Sequence, residues 1–227
     1  TEGGWYEADK VRFRQGNPEK IGGWVRISIN TFLGVCRSLW NWVLLDGRNL
    51  IGVGTNLKFY LENGGAYNDI TPLRVVPAPT INNNPFATTI SLTLVTVTDT
   101  GHGAITGDFV TFSGATSVGG LDLNNEYQIT VVDANTYTIT AATAASSTTT
   151  GGGASVVAAY QISVGPAIQQ VLEGWGAGAW GLGTWGNGAP IASVFGALRI
   201  WNQANYGEDL VFGPRGGGIY YWDATTG

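Results

Sequence analysis

The stretch Arg37-Ser38-Leu39-Trp40-Asn41, followed by Leu50-Ile51-Gly52 and Phe59-Tyr60-Leu61-Glu62, decides the fold class of this chain. It consists of an apolar strand carrying Trp-Asn, a second apolar strand, and an aromatic strand that ends in an acidic residue. Turns that contain glycine separate the strands. Short strands of this composition, joined by tight turns, predict an antiparallel meander.

A second copy of this unit lies near the other end of the sequence. It reads Arg199-Ile200-Trp201-Asn202, then Leu210-Val211-Phe212-Gly213, then Ile219-Tyr220-Tyr221-Trp222-Asp223. When the two units are aligned, Trp40-Asn41 corresponds to Trp201-Asn202. A repeated unit of roughly 40 residues built from short strands is typical of a β-propeller blade. Since a propeller typically has at least four blades, we predict an all-β protein with an incomplete β-propeller-like body, and we expect further blades in sequence beyond this chain.

The middle of the chain differs in composition from the two repeat units. Three prolines and Asn82-Asn83-Asn84 mark residues 75–85 as a linker, and residues 86–165 are rich in Thr, Val, Ala and Ser. We interpret residues 82–164 as a small β-barrel inserted into a surface loop of the body, which then comprises residues 1–81 and 165–227. Within the insertion we predict strands at 90–98, 108–113, 126–132 and 136–140, and a loosely ordered tip at 146–153.

Composition and charge narrow the possible functions. The net charge is −5, but residues 75–198 contain no Lys or Arg. Because these cations supply most of the affinity for nucleic-acid phosphates, the middle of the chain is not expected to bind nucleic acid directly. A single cysteine, Cys36, excludes an intrachain disulfide framework and a multi-cysteine zinc site. No apolar stretch of 18 residues occurs, so we predict no membrane span.

Two groups of residues are candidate interaction sites. Val11-Arg12-Phe13-Arg14 alternates apolar with basic residues and predicts a strand, followed by a turn over 15–20 and a second strand over 24–29. Its basic run, Lys10, Arg12 and Arg14, either meets an acidic partner surface or forms a solvated strand face. In a glycine-rich loop, Trp175, Trp180 and Trp185 recur every five residues, which fits neither a helix nor a strand. These tryptophans either pack in an interface or stack on sugars.

The residues give little support to catalysis, cofactor binding or metal binding. His102 is the only histidine and lies in a predicted turn, so a histidine-based nucleophilic site would have to use it. Gly176 to Gly181 matches the dinucleotide pattern G-x-G-x-x-G without the strand and helix that this site requires. Four aspartates of the insertion are too widely spaced for a calcium loop, and we interpret them as turn residues. They are Asp99, Asp108, Asp122 and Asp133.

Several segments resemble known families. The N-terminal stretch from Trp5 to Arg14, continuing to Trp24, resembles the start of a family of tailed-bacteriophage virion proteins, as do Asn68 to Leu73 and the loop 174–188. A second likeness concerns a small β-barrel module that recurs in phage structural proteins. That module is similar in fold alone to the first catalytic-cysteine-half (FCCH-like) domain of ubiquitin-activating enzymes. The segments that carry it are 101–103, 110–115 and 133–140.

The resemblance implies a tail nozzle or tail tubular protein of a short-tailed phage, located in the virion. Such proteins assemble as a ring, a hexamer by family resemblance, between the head-proximal adaptor and the distal tail with its fibres. DNA passes through the lumen only in transit. Two alternatives stay open from the residues. One is a carbohydrate-binding adhesin that uses the tryptophan loop. The other is an enzyme such as a propeller hydrolase, which would need convergent carboxylates or a histidine-based site.

Overall fold

The computed structural model describes residues 9–23, 25–26, 28–75, 81–165 and 200–226. Within these ranges the regular structure consists of strands and contains no helix, so the all-β prediction is confirmed. The strands, in chain order, are β1 (Val11–Arg14), β2 (Asn17–Lys20), β3 (Cys36–Val43), β4 (Asn49–Thr55), β5 (Phe59–Asn63), β6 (Ala66–Asp69), β7 (Phe86–Thr88), β8 (Leu94–Thr98), β9 (Phe109–Ser113), β10 (Glu126–Gln128), β11 (Thr130–Val131), β12 (Thr136–Thr140), β13 (Thr149–Gly151), β14 (Val157–Tyr160), β15 (Trp201–Tyr206), β16 (Asp209–Pro214) and β17 (Tyr220–Trp222).

Two antiparallel meanders correspond to the two repeat units. The first sheet has the order β3-β4-β5-β6 and the second has the order β15-β16-β17. Their facing sides share one apolar cluster in which Phe59 stacks on Phe212 with ring centroids 4.3 Å apart. Gly54 leaves room for the side chain of Trp201, because a Cβ at Gly54 would lie 2.5 Å from the indole ring. The indole Nε1 of Trp201 donates to the carbonyl of Thr55 at 2.8 Å, which fixes the ring in this gap.

The predicted equivalence of Trp40 and Trp201 is wrong. Trp40 pairs with Gly52 and is 41% exposed, whereas Trp201 pairs with Pro214 and is 3% exposed. The two hairpins have different loops: residues 44–48 connect β3 to β4, and only Gly207 and Glu208 connect β15 to β16. Because the two loops differ in length, equivalent positions must be counted from the loop. Counted in this way, Trp201 of β15 corresponds to Ser38 of β3, which pairs with Gly54, and not to Trp40. The strand order therefore repeats, while the Trp-Asn positions do not; that the meanders are propeller blades stays a prediction.

The strands from β7 to β14 enclose a second apolar core, which is built from residues between Phe86 and Tyr160. They form a three-stranded sheet, β10-β9-β14, and a five-stranded sheet, β11-β12-β8-β7-β13. The chain passes from one sheet to the other at the buried Ile129, which separates β10 from β11. Among the described residues, the strands of the insertion are not hydrogen-bonded to one another all the way around the core. The predicted barrel is therefore present as two open sheets. The boundaries at 82 and 164 stay predictions.

Local expectations differ from the structure in several places. The strand predicted over 90–98 begins only at Leu94, and the strand predicted over 126–132 is divided into β10 and β11 at Ile129. The segment 146–153 is not a loose tip, because β13 pairs with β7 and Gly152 packs against the ring of Phe86. The turn predicted over 15–20 is confined to Gln15 and Gly16, which have φ values of 50° and 80°, and β2 follows at once. Of the strand predicted over 24–29, residues 25, 26, 28 and 29 lie outside any strand, and the others are outside the described residues.

Candidate functional site

A buried lysine joins the first sheet to the insertion. Lys58 precedes β5 and is 2% exposed. Its ammonium nitrogen lies 2.5 Å from Asp69 Oδ2 on β6 and 2.6 Å from both carboxylate oxygens of Glu126 on β10. Thr55 holds the lysine backbone in place, since its Oγ1 accepts a hydrogen bond from the Lys58 amide at 2.9 Å. We call Lys58, Asp69, Glu126 and Gln161 the ionic junction.

Gln161 and two neighbouring groups complete the ionic junction. The Gln161 amide Nε2 donates to Asp69 Oδ2 at 3.0 Å and to Glu126 Oε1 at 2.9 Å, so it bridges the two carboxylates as Lys58 does. The ring of Phe109 lies under the ammonium group, 4.4 Å from its centroid. Thr71 donates from both its backbone and its hydroxyl to Asp69 Oδ1, at 2.9 and 2.6 Å. The charges are therefore paired and hydrogen-bonded, which a buried ion pair requires.

The titration of the ionic junction follows from this geometry. Burial by itself would lower the pKa of Lys58, but the hydrogen bonds with Asp69 and Glu126 outweigh it and raise the pKa above its ordinary value. Burial would likewise raise the pKa of Asp69, while the hydrogen bonds from Lys58 and Thr71 lower it below its ordinary value. Both groups are thus held in their charged forms around neutral pH.

A second polar contact connects the same two parts of the chain. The guanidinium of Arg74 donates to the carbonyls of Gly103 and His102, at 2.7 and 3.0 Å, and lies 4.7 Å from the centroid of the Tyr160 ring. The Tyr160 hydroxyl in turn donates to Asp99 and contacts the hydroxyl of Tyr137. Burial raises the pKa values of Tyr137 and Tyr160 well above the ordinary range. These contacts connect Arg74, which precedes the insertion, to residues within it.

The predicted basic residues lie on the β1–β2 hairpin and are exposed. Arg12 donates from Nε to Glu19 at 3.1 Å, and Lys10 lies 4.0 Å from Asp9. Arg14 forms no ion pair with any residue that the structure describes. The structure therefore places Lys10, Arg12 and Arg14 together on one hairpin, away from the ionic junction.

Exposed apolar side chains are concentrated in the N-terminal part of the described chain. Half of the large apolar side chains that are exposed belong to residues 13–45. On the edge strand β3, Leu39 and Val43 lie on the face opposite the second sheet and are 66% and 59% exposed. Trp40, by contrast, lies on the face of β3 toward the second sheet, where its indole donates to Asn205. The exposed apolar residues between 13 and 45 are Phe13, Ile21, Val25, Ile29, Leu33, Val35, Leu39, Trp40, Val43 and Leu45.

The remaining predicted sites have the following outcomes. Trp175, Trp180 and Trp185 lie outside the described residues, as does the G-x-G-x-x-G match. His102 is buried, with Nδ1 accepting from the Ala104 amide and Nε2 donating to the carbonyl of Asp133, so both ring nitrogens are occupied by structural hydrogen bonds. Among the described residues, no three His, Cys, Asp or Glu side chains come together as a group that could hold a metal ion.

The prediction that the four aspartates are turn residues is confirmed for three of them. Asp108, Asp122 and Asp133 accept hydrogen bonds from backbone amides two or three residues away. Asp99 instead accepts from the distant Tyr160 hydroxyl.

No helix in the described part of the chain is long and apolar enough to span a membrane.

The ionic junction was not found by sequence reasoning. Lys58 is one of nine Lys or Arg residues in 1–74, and no spacing rule connects it to Glu126, which is 68 residues away. A weak signal was present in the sequence, because Lys58 directly precedes the apolar run Phe59-Tyr60-Leu61. A cation beside a buried strand needs a partner, but only the fold identifies which carboxylate supplies it.

Comparisons with known proteins return little. No family model matches the chain, and no curated protein matches it. Among solved structures, the phage phi92 endosialidase is similar to part of the chain, with 21% identity and a TM-score of 0.32. The similarity covers 56% of this chain and 17% of the endosialidase. A similarity at this level assigns neither a fold nor an activity.

Proposed function

We propose that this chain is a structural subunit of a bacteriophage tail, a nozzle or tail-tube-like protein that assembles with further copies into a ring around the DNA path. The sequence resemblance of residues 5–24 and 68–73 to tailed-phage virion proteins supports the phage origin. The observation that carries the assembly role is the outer face of the edge strand β3, on which Leu39 and Val43 are 66% and 59% exposed. Because water penalises such a surface, it favours burial against another protein.

The two polar connections support the same role. Lys58 and Arg74 fix the insertion to the first sheet through the ionic junction and the carbonyls of residues 102 and 103. Such a connection suits a rigid part of an assembly, in which neighbouring copies must meet in one geometry. Lys58 pairs with both Asp69 and Glu126, and both ring nitrogens of His102 are hydrogen-bonded to the backbone. We therefore propose that the chain performs no catalysis.

Two measurements test this function. Native mass spectrometry of the purified chain should show a closed oligomer with a single stoichiometry. Immunogold labelling of virions with an antibody against this chain should place it in the tail, as a ring below the head. Virions that carry no label, together with a chain that stays monomeric at all concentrations, would remove the proposal. Binding on a glycan array that Trp175→Ala abolishes would instead favour the adhesin.

A further inference from the structure

Two neighbouring strands hold the amine of Lys58 against the carboxyl group of Asp69. Lys58 directly precedes β5, Asp69 ends β6, and the register of these strands pairs Tyr60 with Asp69. The Lys58 Nζ lies 2.5 Å from Asp69 Oδ2. Because Oδ2 is bonded to Cγ, the nitrogen lies beside the carbon that an amine attacks when it forms an amide. Groups held in reacting geometry behave as if they were present at about 10⁵–10⁸ M, so the fold supplies the proximity that this condensation requires.

The two oxygens of the Asp69 carboxyl group have different hydrogen-bond donors. Oδ1 accepts from the backbone amide and the hydroxyl of Thr71, at 2.9 and 2.6 Å. The Thr71 hydroxyl oxygen accepts in turn from the Phe59 amide at 2.8 Å, which leaves its proton directed at Asp69. Two donors aimed at one oxygen stabilise the negative charge that develops there when an amine adds to the carbon. Oδ2 instead accepts from Gln161 Nε2 at 3.0 Å and is the oxygen that can leave.

Glu126 is placed to move protons between the amine and the Asp69 carboxyl group. Both of its carboxylate oxygens lie 2.6 Å from Lys58 Nζ, and Gln161 Nε2 bridges Glu126 Oε1 and Asp69 Oδ2. A carboxylate within hydrogen-bond distance of the proton that it abstracts meets the geometric requirement for a general base. The ring of Phe109 lies 4.4 Å from the amine, and the lysine side chain is 2% exposed, so bulk water is kept from the nitrogen.

We propose that Lys58 and Asp69 condense into an intramolecular isopeptide bond in the folded chain, with Glu126 as the proton relay. Glu126 first transfers one proton from the ammonium group to Asp69 Oδ2, which gives a neutral amine and a carboxylic acid. The nitrogen lone pair then forms the bond to Cγ, and the electron pair of the carbonyl moves to Oδ1, to which Thr71 donates. Glu126 transfers a second proton from the nitrogen to Oδ2, the Cγ–Oδ2 bond breaks, and water leaves as the carbonyl forms again at Oδ1.

This step is balanced without any further reactant. Of the three ammonium protons, one remains on the amide nitrogen and two leave with Oδ2 as water. Nothing is oxidised or reduced, and Glu126 is regenerated. The reaction occurs once in each chain and turns over no substrate, so it is compatible with a structural subunit. It does not rest on the proposed function, because it needs only the ionic junction and Thr71.

The bond forms slowly after folding. Burial favours the neutral forms of both reacting groups, but their hydrogen bonds outweigh it, so that the pKa of Lys58 is raised and the pKa of Asp69 is lowered. The neutral pair that reacts is therefore a minor fraction near neutral pH. The freshly folded chain has the ion pair, and the cross-linked chain accumulates with time.

Intact-protein mass spectrometry of the full chain tests the proposal. After refolding from urea, the original chain should progressively lose one water, about 18 Da. Lys58→Met and Asp69→Ala should keep their full masses. Glu126→Gln removes the base and preserves its shape, so the bond should form roughly 10²–10⁴-fold more slowly. The matched control is Glu19→Gln, which makes the same change in the exposed ion pair with Arg12 and should lose water as fast as the original chain does.

Tryptic digestion of the denatured chain locates the bond. Trypsin cleaves after Lys and Arg, so the chain without the bond gives separate fragments 49–58 and 59–74. An acylated Lys58 resists cleavage and gives one fragment, 49–74, that has lost one water. A bond to Glu126, which also contacts the amine, would instead join 49–74 to the fragment 75–199, because residues 75–198 contain no Lys or Arg. That product would overturn the assignment to Asp69.

The original chain alone decides the inference if a variant does not fold, which circular dichroism melts identify. The bond should form in the folded chain and not in urea, since only the fold brings the two groups together. Full mass after prolonged incubation, loss of water with cleavage after Lys58 intact, or equal loss of water in urea would each overturn the isopeptide bond. Equal rates for the folded variants Glu126→Gln and Glu19→Gln would overturn the role of Glu126 as the relay.

Discussion

The ring of Phe59 on β5 stacks on the ring of Phe212 on β16, with centroids 4.3 Å apart and 19° between the ring planes. Phe59 is fully buried and Phe212 is 4% exposed. Trp201 packs against both rings, at centroid distances of 4.8 and 6.1 Å. These three aromatic side chains connect the first sheet to the second, so their contacts hold together two parts of the chain that are far apart in sequence.

Truncation of the stacked ring should separate the two sheets. We expect Phe212→Ala to lower the free energy of unfolding by about 3–5 kcal/mol, the range for removing a buried aromatic ring and leaving a cavity. Urea unfolding followed by tryptophan fluorescence measures this change, since Trp201 lies beside the site. The control is Tyr206→Ala, because Tyr206 is 74% exposed and should change stability little. An equal loss in the free energy of unfolding for both variants would show that the stacked rings do not stabilise the fold.

The gap beside Trp201 depends on the absence of a side chain at residue 54. A Cβ there would lie 2.5 to 2.7 Å from three atoms of Trp201, whose indole is fixed by its hydrogen bond to Thr55. We expect Gly54→Ala to destabilise the protein by roughly 1–3 kcal/mol through overpacking. Gly22→Ala is the matched control, since nothing lies within 4 Å of a Cβ at Gly22. Thermal unfolding of the two variants should differ accordingly.

Removal of the buried cation should weaken the attachment of the insertion. Lys58→Met keeps the length of the side chain and leaves Asp69 and Glu126 facing each other without a counter-charge. We expect a loss of about 3 kcal/mol, at the low end for breaking a buried pair because both carboxylates are about a third exposed. Arg48→Met removes an exposed ion pair with Asp46 and should cost less than about 1 kcal/mol. Comparable losses in the two variants, measured by urea titration, would contradict a special role of the ionic junction.

The ionic junction also makes stability depend on pH in a defined direction. The pKa of Asp69 is depressed below 3.8, so its contribution is complete above that value and is lost as pH falls through the folded-state pKa. The pKa of Lys58 is raised above 10.5, so its contribution is complete below that value and is lost as pH rises through the folded-state pKa. The original chain should therefore lose folding stability at both low and high pH. The stability of Lys58→Met should vary less over the same pH range. A parallel pH profile for the two proteins in urea titrations would oppose this assignment.

Sequence patterns identified the strands that carry their own alternation and turns. The alternating run of β1, the aromatic strand β5 and the hairpin around Asp133 to Asn135 were all predicted, because strand pairing between neighbours in sequence depends on local residues. The same reasoning misplaced Trp201, because the register of a hairpin depends on the length of its loop. It also missed β13, whose Thr-Thr-Gly sequence is polar and becomes a strand only by pairing with β7.

The sequence by itself determined the all-β class, three successive strands in each of the two repeat units and the absence of cations from the insertion, since these follow from composition and short-range patterning. Only the tertiary structure decided that Lys58 meets Glu126, that Gly54 admits Trp201, and that the β1–β2 hairpin stands clear of the other described strands. The contacts of Lys58 with Glu126 and of Gly54 with Trp201 join residues that are far apart in the chain. Their meeting is set by how whole sheets pack, and no local pattern of residue types specifies that packing.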